Sequence, residues 1–209
     1  MTHLHPTAEL AERALLPDDP GQALALTRLL YGETPRMFNH YRGLWGYTGI
    51  ALDGAPLTVQ STGIGGPSVA IVIAELHALG LRRAVRIGRA WALDAALRAG
   101  ELVAASAVIA NDGASRALGA GARIEPDPAL AAALRGDRSG VLASVDVAHA
   151  QDVAGALAFD LESAAVLAAA AGAGIPAACL VAIEGAVDPD AVAARLGRAA
   201  LAAIAPVRA

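Results

Sequence analysis

Hydrophobic positions follow two rhythms along this chain. Short, mainly apolar runs at Leu57–Ser61, Ala84–Ile87, Leu102–Ile109 and Ala177–Ile183 have the length of strands. Over Pro67–Leu79, Pro128–Leu134, Leu161–Ala173 and Pro189–Ile204, apolar residues recur at helical spacing instead. Strands alternating with helices predict a three-layer α/β domain whose sheet is largely covered. No linker, repeat or low-complexity tail divides residues 1–209, so one domain is expected. The apolar helix at Ala164–Ala173 is closed by glycine short of a span of about 18–20 residues.

The most informative stretch runs from Gln60 to Gly88. It reads as strand, glycine-rich turn, helix, strand. Gly63, Gly65 and Gly66 loosen the backbone, and Pro67 suits a first helical turn. Ala70, Ile71, Ala74, Leu76 and Leu79 then keep helical spacing until Gly80. Glycines let a ligand approach the backbone, and a helix N-terminus behind them favours an anion. These residues alone therefore point to an anion or sugar site on an α/β sheet.

Composition narrows the chemistry. With 56% hydrophobic but only 3% aromatic residues, the core must be built from Ala, Val, Leu and Ile. A net charge of −4 argues against a nucleic-acid partner. All 16 basic residues are arginine, which excludes Schiff-base chemistry, pyridoxal-phosphate attachment and a phosphate-loop lysine. Cys179 is the only cysteine, so neither an internal disulfide nor a cysteine-rich zinc site is expected. Its setting, AACLVAI, reads as a buried strand with a core thiol. His, Glu and Arg punctuate the N-terminus, unlike a secretory signal, and the expected location is cytoplasmic, away from membranes.

The wording of the glycine turn goes further. STGIGGPS (Ser61–Ser68), followed by the helix and RIG (Arg86–Gly88), resembles the uridine and purine nucleoside phosphorylases. HPTAEL (His5–Leu10), RGLWGYTG (Arg42–Gly49), NDGAS (Asn111–Ser115) and DLESAAV (Asp160–Val166) resemble further segments of that family, in the same order. NDGAS and STGIGGPS are nearest the uridine branch, whereas RGLWGYTG leans towards the purine enzymes. The resemblance implies a single three-layer αβα domain with a central mixed sheet. It also implies phosphorolytic cleavage of the N-glycosidic bond of a uridine-like nucleoside, giving free base and pentose 1-phosphate. No metal or organic cofactor is implied, inorganic phosphate being a co-substrate. The expected partners are small molecules and copies of the same chain, in an oligomer built from dimers and up to a hexamer.

Residue roles follow from the same resemblance. Glu162 matches the carboxylate that accepts the ribose 2′ and 3′ hydroxyls; position alone favours a helix-terminal acid, and it is the motif that favours the ribose role. Leu161, in place of the usual methionine, and Ile64 in the glycine turn would pack on the sugar. Phe159 borders the base or serves as a core aromatic. His5 matches a histidine that reaches a neighbouring subunit's ribose 5′ hydroxyl; a solvated N-terminus or a His3/His5 metal pair is the alternative. Arg86 and Arg42 match phosphate ligands, the latter supplied across a dimer interface.

The chain also departs from the family pattern. PDDPGQ (Pro17–Gln22) stands where the phosphate loop should be, with Asp18 for a glycine and Gln22 for an arginine. A carboxylate about 4 Å from a phosphate charge costs about 4 kcal/mol at an effective dielectric of 20. Arg89, at a small phosphate-binding position, is expected either to pair with Asp18 or to fill the phosphate cavity, and Trp91 adds bulk nearby. The base-contacting segment is shortened to the residues between Asp146 and Phe159. Glu184 and Asp188 are candidates to assist the departing base or are simply loop acids. Two competing functions therefore stand beside phosphorolysis: a hydrolytic nucleosidase and a non-catalytic nucleoside- or phosphoester-binding protein.

Overall fold

Three helices open on the same dipeptide, aspartate followed by proline. In α1 (Pro20–Leu30), α4 (Pro128–Ala133) and α6 (Pro189–Ala203), proline occupies the first turn, where its missing N–H costs nothing. The preceding Asp19, Asp127 and Asp188 cap the exposed amides, accepting from Gly21 and Gln22, from Leu130 and from Asp190 respectively. Asp188 is thus a helix cap. The remaining helices are α2 (Gly66–Ala78), α3 (Gly113–Ala117) and α5 (Ser163–Gly172). The structure, a computed structural model, describes residues 1–149 and 152–206.

Ten strands form one mixed sheet among the described residues. They are β1 (Arg13–Leu16), β2 (Arg36–Asn39), β3 (Gly46–Ile50), β4 (Pro56–Gln60), β5 (Arg83–Ala92), β6 (Leu102–Asn111), β7 (Arg123–Ile124), β8 (Arg138–Val145), β9 (Ala158–Asp160) and β10 (Ala177–Ile183). The hydrophobic runs had located β4, β5, β6 and β10, although β5 continues five residues beyond Ile87. Strand β1 and helix α1 had no such signal. The sheet runs β10-β6-β8-β9-β5-β1-β4-β3-β2, with β7 on β6, and β10 also pairs with β5. That extra pairing closes β5, β10, β6, β8 and β9 into a ring, while β1 to β4 continue as an open wing.

Side-chain alternation along β5 divides the core. Ala84 and Ala90 join one apolar cluster with Val69, Val72, Ile73 and Leu76 of α2 and Ala164, Ala165 and Val166 of α5. Val85 and Ile87 join the other, with Leu26 and Leu30 of α1, Leu130 of α4 and Leu196 and Ala200 of α6. Helices therefore cover both faces, as the three-layer αβα expectation required.

The N-terminal segment is tied down. The backbone N–H groups of Thr2, His3 and Leu4 all donate to the Glu75 carboxylate of α2, at 2.7 to 3.2 Å, and the His3 ring lies 2.9 Å from it. Leu4 is fully buried. Further on, the His5 N–H donates to Asn39 Oδ1 at 2.8 Å and the Thr7 N–H to the Phe38 carbonyl at 2.8 Å. Burial pushes the Glu75 carboxyl up, but the donors of Leu4, His3 and Thr2 outweigh it and hold it down at about 2. A carboxyl titrating below its unfolded value of 4.5 contributes stability that is whole above that pH and disappears as pH falls towards 2. Glu75→Gln is expected to cost about 1–3 kcal/mol at neutral pH and to flatten the acid limb of the stability curve. Denaturant unfolding of both proteins across that range checks it; parallel curves would contradict the clamp.

Candidate active site

The site lies where β5 changes partner. Its parallel pairing with β1 ends at Arg86, opposite Leu16, and its antiparallel pairing with β9 begins only at Trp91, opposite Phe159. Between them one edge of β5 has no registered neighbour. The turns after β1 and β4 and the start of α5 converge on this gap, an arrangement that forms a crevice at the end of the strands.

Arg86 enters the crevice from β5 on the α2 and α5 face, with 1% of its surface exposed. Its Nη2 donates to Glu162 Oε2 at 2.7 Å, and its Nη1 lies 3.2 Å from Asp160 Oδ2. The guanidinium folds back along its own strand over Gly88, where a Cβ would stand 2.8 Å from Arg86 Nη2. This is the physical content of the RIG motif: any side chain two residues further on would occupy the same space. Burial works against the Arg86 charge, but Asp160, Glu162 and Asp18 raise its pKa above the usual arginine value. Arg86 Nε and Nη1 have no hydrogen-bond partner among the described residues, leaving buried donors open to a ligand.

Glu162 precedes α5 and is 3% exposed. Its second oxygen, Oε1, accepts from the Gly65 N–H at 2.8 Å. Gly65 has φ 85°, a left-handed conformation that glycine adopts freely, and this aims its amide at the carboxylate. Burial pushes Glu162 up, Asp160 and Asp18 push the same way, and Arg86 and the Gly65 N–H oppose them; the net direction is upward.

Asp160 was not singled out in the sequence, yet it joins three elements. It is wholly buried and accepts from Ser144 Oγ of β8 at 2.6 Å, from the Ser163 hydroxyl, and from the Glu162 and Ser163 N–H groups at 3.2 and 3.1 Å. It caps α5 while facing Arg86. The signal available was the D-x-E-S spacing, which gives a strand-end acid an adjacent helix start to cap. Cys179, opposite Arg86 on β10, is fully buried, and burial pushes its thiol up to about 12, so it is an inert core thiol.

Asp18 approaches from the turn after β1. The Thr62 N–H donates to the Pro17 carbonyl at 2.8 Å and the Gly63 N–H to the Asp18 carbonyl at 3.1 Å. The half-buried Asp18 thus sits against the same glycine turn that holds Glu162, and its charge is felt by both Arg86 and Glu162.

The other expected ligands lie elsewhere. Arg89 neither pairs with Asp18 nor fills the crevice: its Nη1 donates to Glu184 at 3.1 and 3.2 Å, and half of its side chain is exposed. The correction follows from strand periodicity, because residues three apart on β5 project from opposite faces. Arg89 instead lines a depression with Asp19, Gly21 and Gln22, between α1 and α6. Glu184 is occupied by that pair. Arg42 is exposed, has φ 58°, and lies with its guanidinium carbon 5.6 Å from the Tyr41 ring centre. The His5 ring stacks on the same Tyr41 ring at 3.8 Å, so His5 and Arg42 share one outward surface. His3 turns to Glu75, away from any pairing with His5. Among the described residues no three His, Cys, Asp or Glu side chains converge as a metal site.

The sugar and base candidates divide similarly. Ile64 is 79% exposed at the tip of the glycine turn. Phe159 alternates with Asp160 on β9 and therefore faces the opposite side of the sheet, buried with Ala143 and Val145 and flanked by Leu161. Trp91 stacks on Phe159 at 5.2 Å rather than entering the Arg86 crevice. Of the shortened segment between Asp146 and Phe159, residues 150 and 151 lie outside the described residues; Asp146 accepts from the Gly113 N–H at 3.0 Å. Gly88→Ala should displace the Arg86 guanidinium and cost about 1–3 kcal/mol, read as a lowered thermal midpoint. An unchanged midpoint would show that Arg86 does not need that space.

Comparison with known proteins places this geometry in context. A uridine phosphorylase of Haemophilus influenzae is 34% identical over 105 residues, covering 50% of this chain and 40% of its own. A uridine phosphorylase of Thermococcus kodakarensis is 35% identical over 108 residues, 52% of this chain and 38% of its own. A DeoD-type purine nucleoside phosphorylase of Oceanobacillus iheyensis is 36% identical over 87 residues, 41% of this chain and 36% of its own. The matched stretches span less than half the length of each of these relatives. The family described as the Phosphorylase superfamily matches residues 12–206, nearly the whole chain, and the chain belongs to that family.

Proposed function

We propose that this chain cleaves the N-glycosidic bond of a nucleoside, with Glu162 gripping the ribose hydroxyls. The observation that carries this reading is the double anchoring of Glu162, by Arg86 on one oxygen and the Gly65 N–H on the other. Two carboxylate oxygens offer about four acceptor positions, of which these contacts use two. The remaining lone pairs suit two vicinal hydroxyls. Breaking the bond to the base builds positive charge at C1′, and the anions around Arg86 stabilise that charge without reorganising.

Family membership supports phosphate as the attacking group, and the uridine phosphorylases among the relatives support a uridine-like substrate. The open Arg86 Nε and Nη1 donors suit an oxyanion. The products would then be free base and pentose 1-phosphate, with phosphate as co-substrate and no cofactor. His5 and Arg42, on one exposed patch, would serve a neighbouring copy's site, so the proposal includes a dimer-based oligomer. It also includes a cytoplasmic location; no helix among the described residues is long and apolar enough to cross a membrane.

A second reading, hydrolysis by water, is favoured by the charge of the crevice, where Arg86 is already engaged by two carboxylates. A non-catalytic binder is disfavoured, because neither Arg89 nor Trp91 occupies the crevice. Glu162→Ala is expected to lower base release from nucleosides by about a hundredfold or more while leaving the protein folded. Full turnover by that variant would remove Glu162 from the reaction.

A further inference from the structure

Ser144 and Asp160 stand opposite one another on β8 and β9, which run parallel, so both side chains project to the same face of the sheet. Both are fully buried. Ser144 Oγ donates to Asp160 Oδ1 at 2.6 Å and accepts from the Ala164 N–H of α5 at 2.8 Å. The Glu162 and Ser163 N–H groups reach the same Oδ1 at 3.2 and 3.1 Å, and the Ser163 hydroxyl donates to Oδ2. A carboxylate has about four acceptor positions. The four donors from β8, α5 and the turn between β9 and α5 match that capacity and hold the group in place.

That commitment decides how Asp160 meets Arg86. Its Oδ2 lies 3.2 Å from Arg86 Nη1, yet Nη1 and Nε stay buried without a hydrogen-bond partner among the described residues. Glu162, by contrast, takes Nη2 in a hydrogen bond of 2.7 Å. One acid therefore uses a donor of the guanidinium, and the other lends only its charge. A buried guanidinium needs counter-charge, and a carboxylate free to turn would close Nη1 with a charge-assisted hydrogen bond. The serine and amide donors hold Asp160 back from doing so. Gly88 bounds the guanidinium along its own strand, where a Cβ would stand 3.0 Å from Nη1.

We infer that Asp160 is a positioning residue acting through Arg86: it balances part of the guanidinium charge while leaving Nη1 and Nε open to the phosphate oxyanion. This rests on the glycosidic reading of the site, with phosphate as co-substrate. Two consequences of opposite sign follow. The Asp160 charge loosens the hold of Arg86 on phosphate, because like charges a few ångströms apart repel. It also shares the balancing of Arg86 with Glu162, so Glu162 is not drawn wholly onto the guanidinium and keeps lone pairs for the ribose hydroxyls. An acid that only held the fold together would affect phosphate and nucleoside alike.

Two measurements on the full chain test this, with thermal unfolding confirming that each variant is folded. Inorganic phosphate binding is measured by calorimetry, and phosphate-dependent base release from purine and pyrimidine nucleosides gives kcat and KM. Asp160→Asn keeps an acceptor for the α5 amides and removes the charge. Phosphate should then bind about tenfold tighter, whereas the nucleoside KM should rise and kcat fall, each by about tenfold. Ser144→Ala frees the carboxylate to turn onto Nη1, so phosphate should bind about tenfold weaker. Ser144→Thr, which keeps the hydroxyl, should restore wild-type binding. Equal or weaker phosphate binding by Asp160→Asn, or wild-type binding by Ser144→Ala, would overturn the inference and leave the glycosidic reading standing. If Asp160→Asn does not fold, the two serine variants decide alone. No base release from any nucleoside by the wild type would overturn the glycosidic reading, and the pattern of phosphate binding would still decide the role of Asp160.

Discussion

A fully buried guanidinium cannot be left without counter-charge, and the organisation of this molecule around Arg86 follows from that constraint. Removing one member of a buried ion pair typically costs about 3–5 kcal/mol, because the survivor remains dehydrated and uncompensated. Asp160 and Glu162 supply the compensation, one from the last residue of β9 and one from the residue before α5. Gly88 supplies the space, and Gly65 supplies the amide that holds the far oxygen of Glu162. The partner change on β5 sets this cluster at the end of the β1 pairing, where the turns after β1 and β4 and the start of α5 come together.

The same cluster connects structure to chemistry. Two carboxylates serve one guanidinium, so the acids are not fully spent on neutralising Arg86, and a third acid stands beside them. Such a surplus is unfavourable in a resting protein and favourable when positive charge develops on a bound sugar. Asp160 is fixed by two serine hydroxyls and two backbone amides, and so is committed to holding the architecture. Glu162, with fewer fixed donors and burial pushing its carboxyl up, is the acid free to exchange partners with a ligand.

Much of this was legible in the sequence because it depends on local rules. The glycine turn, the RIG strand and the D-x-E-S helix start each leave a short pattern of residue types, and each is where the pattern placed it. The helix starts at Pro128 and Pro189 were equally plain, whereas α1 begins inside the segment matched to a phosphate loop. What escaped was non-local. Nothing in the run of residues says that β10 pairs with β5 and closes a ring, or that β5 exchanges β1 for β9 at Arg86. Arg89 was misplaced for a different reason. Strand alternation does set it opposite Arg86, but reading RIGRAW as a string of positions ignored the alternation. The order of the N-terminal segment also came from outside its own sequence, from a glutamate more than seventy residues away.

Arg86 and Glu162 act as one buried, mutually dependent unit. A double-mutant cycle with Arg86→Met, Glu162→Gln and the pair, read by denaturant unfolding, measures that dependence directly. Each single variant should lose about 3–5 kcal/mol, and the double should lose less than the sum by about 2 kcal/mol or more. Losses that simply add would show that the two side chains do not depend on one another, and the account of the site built on them would fail.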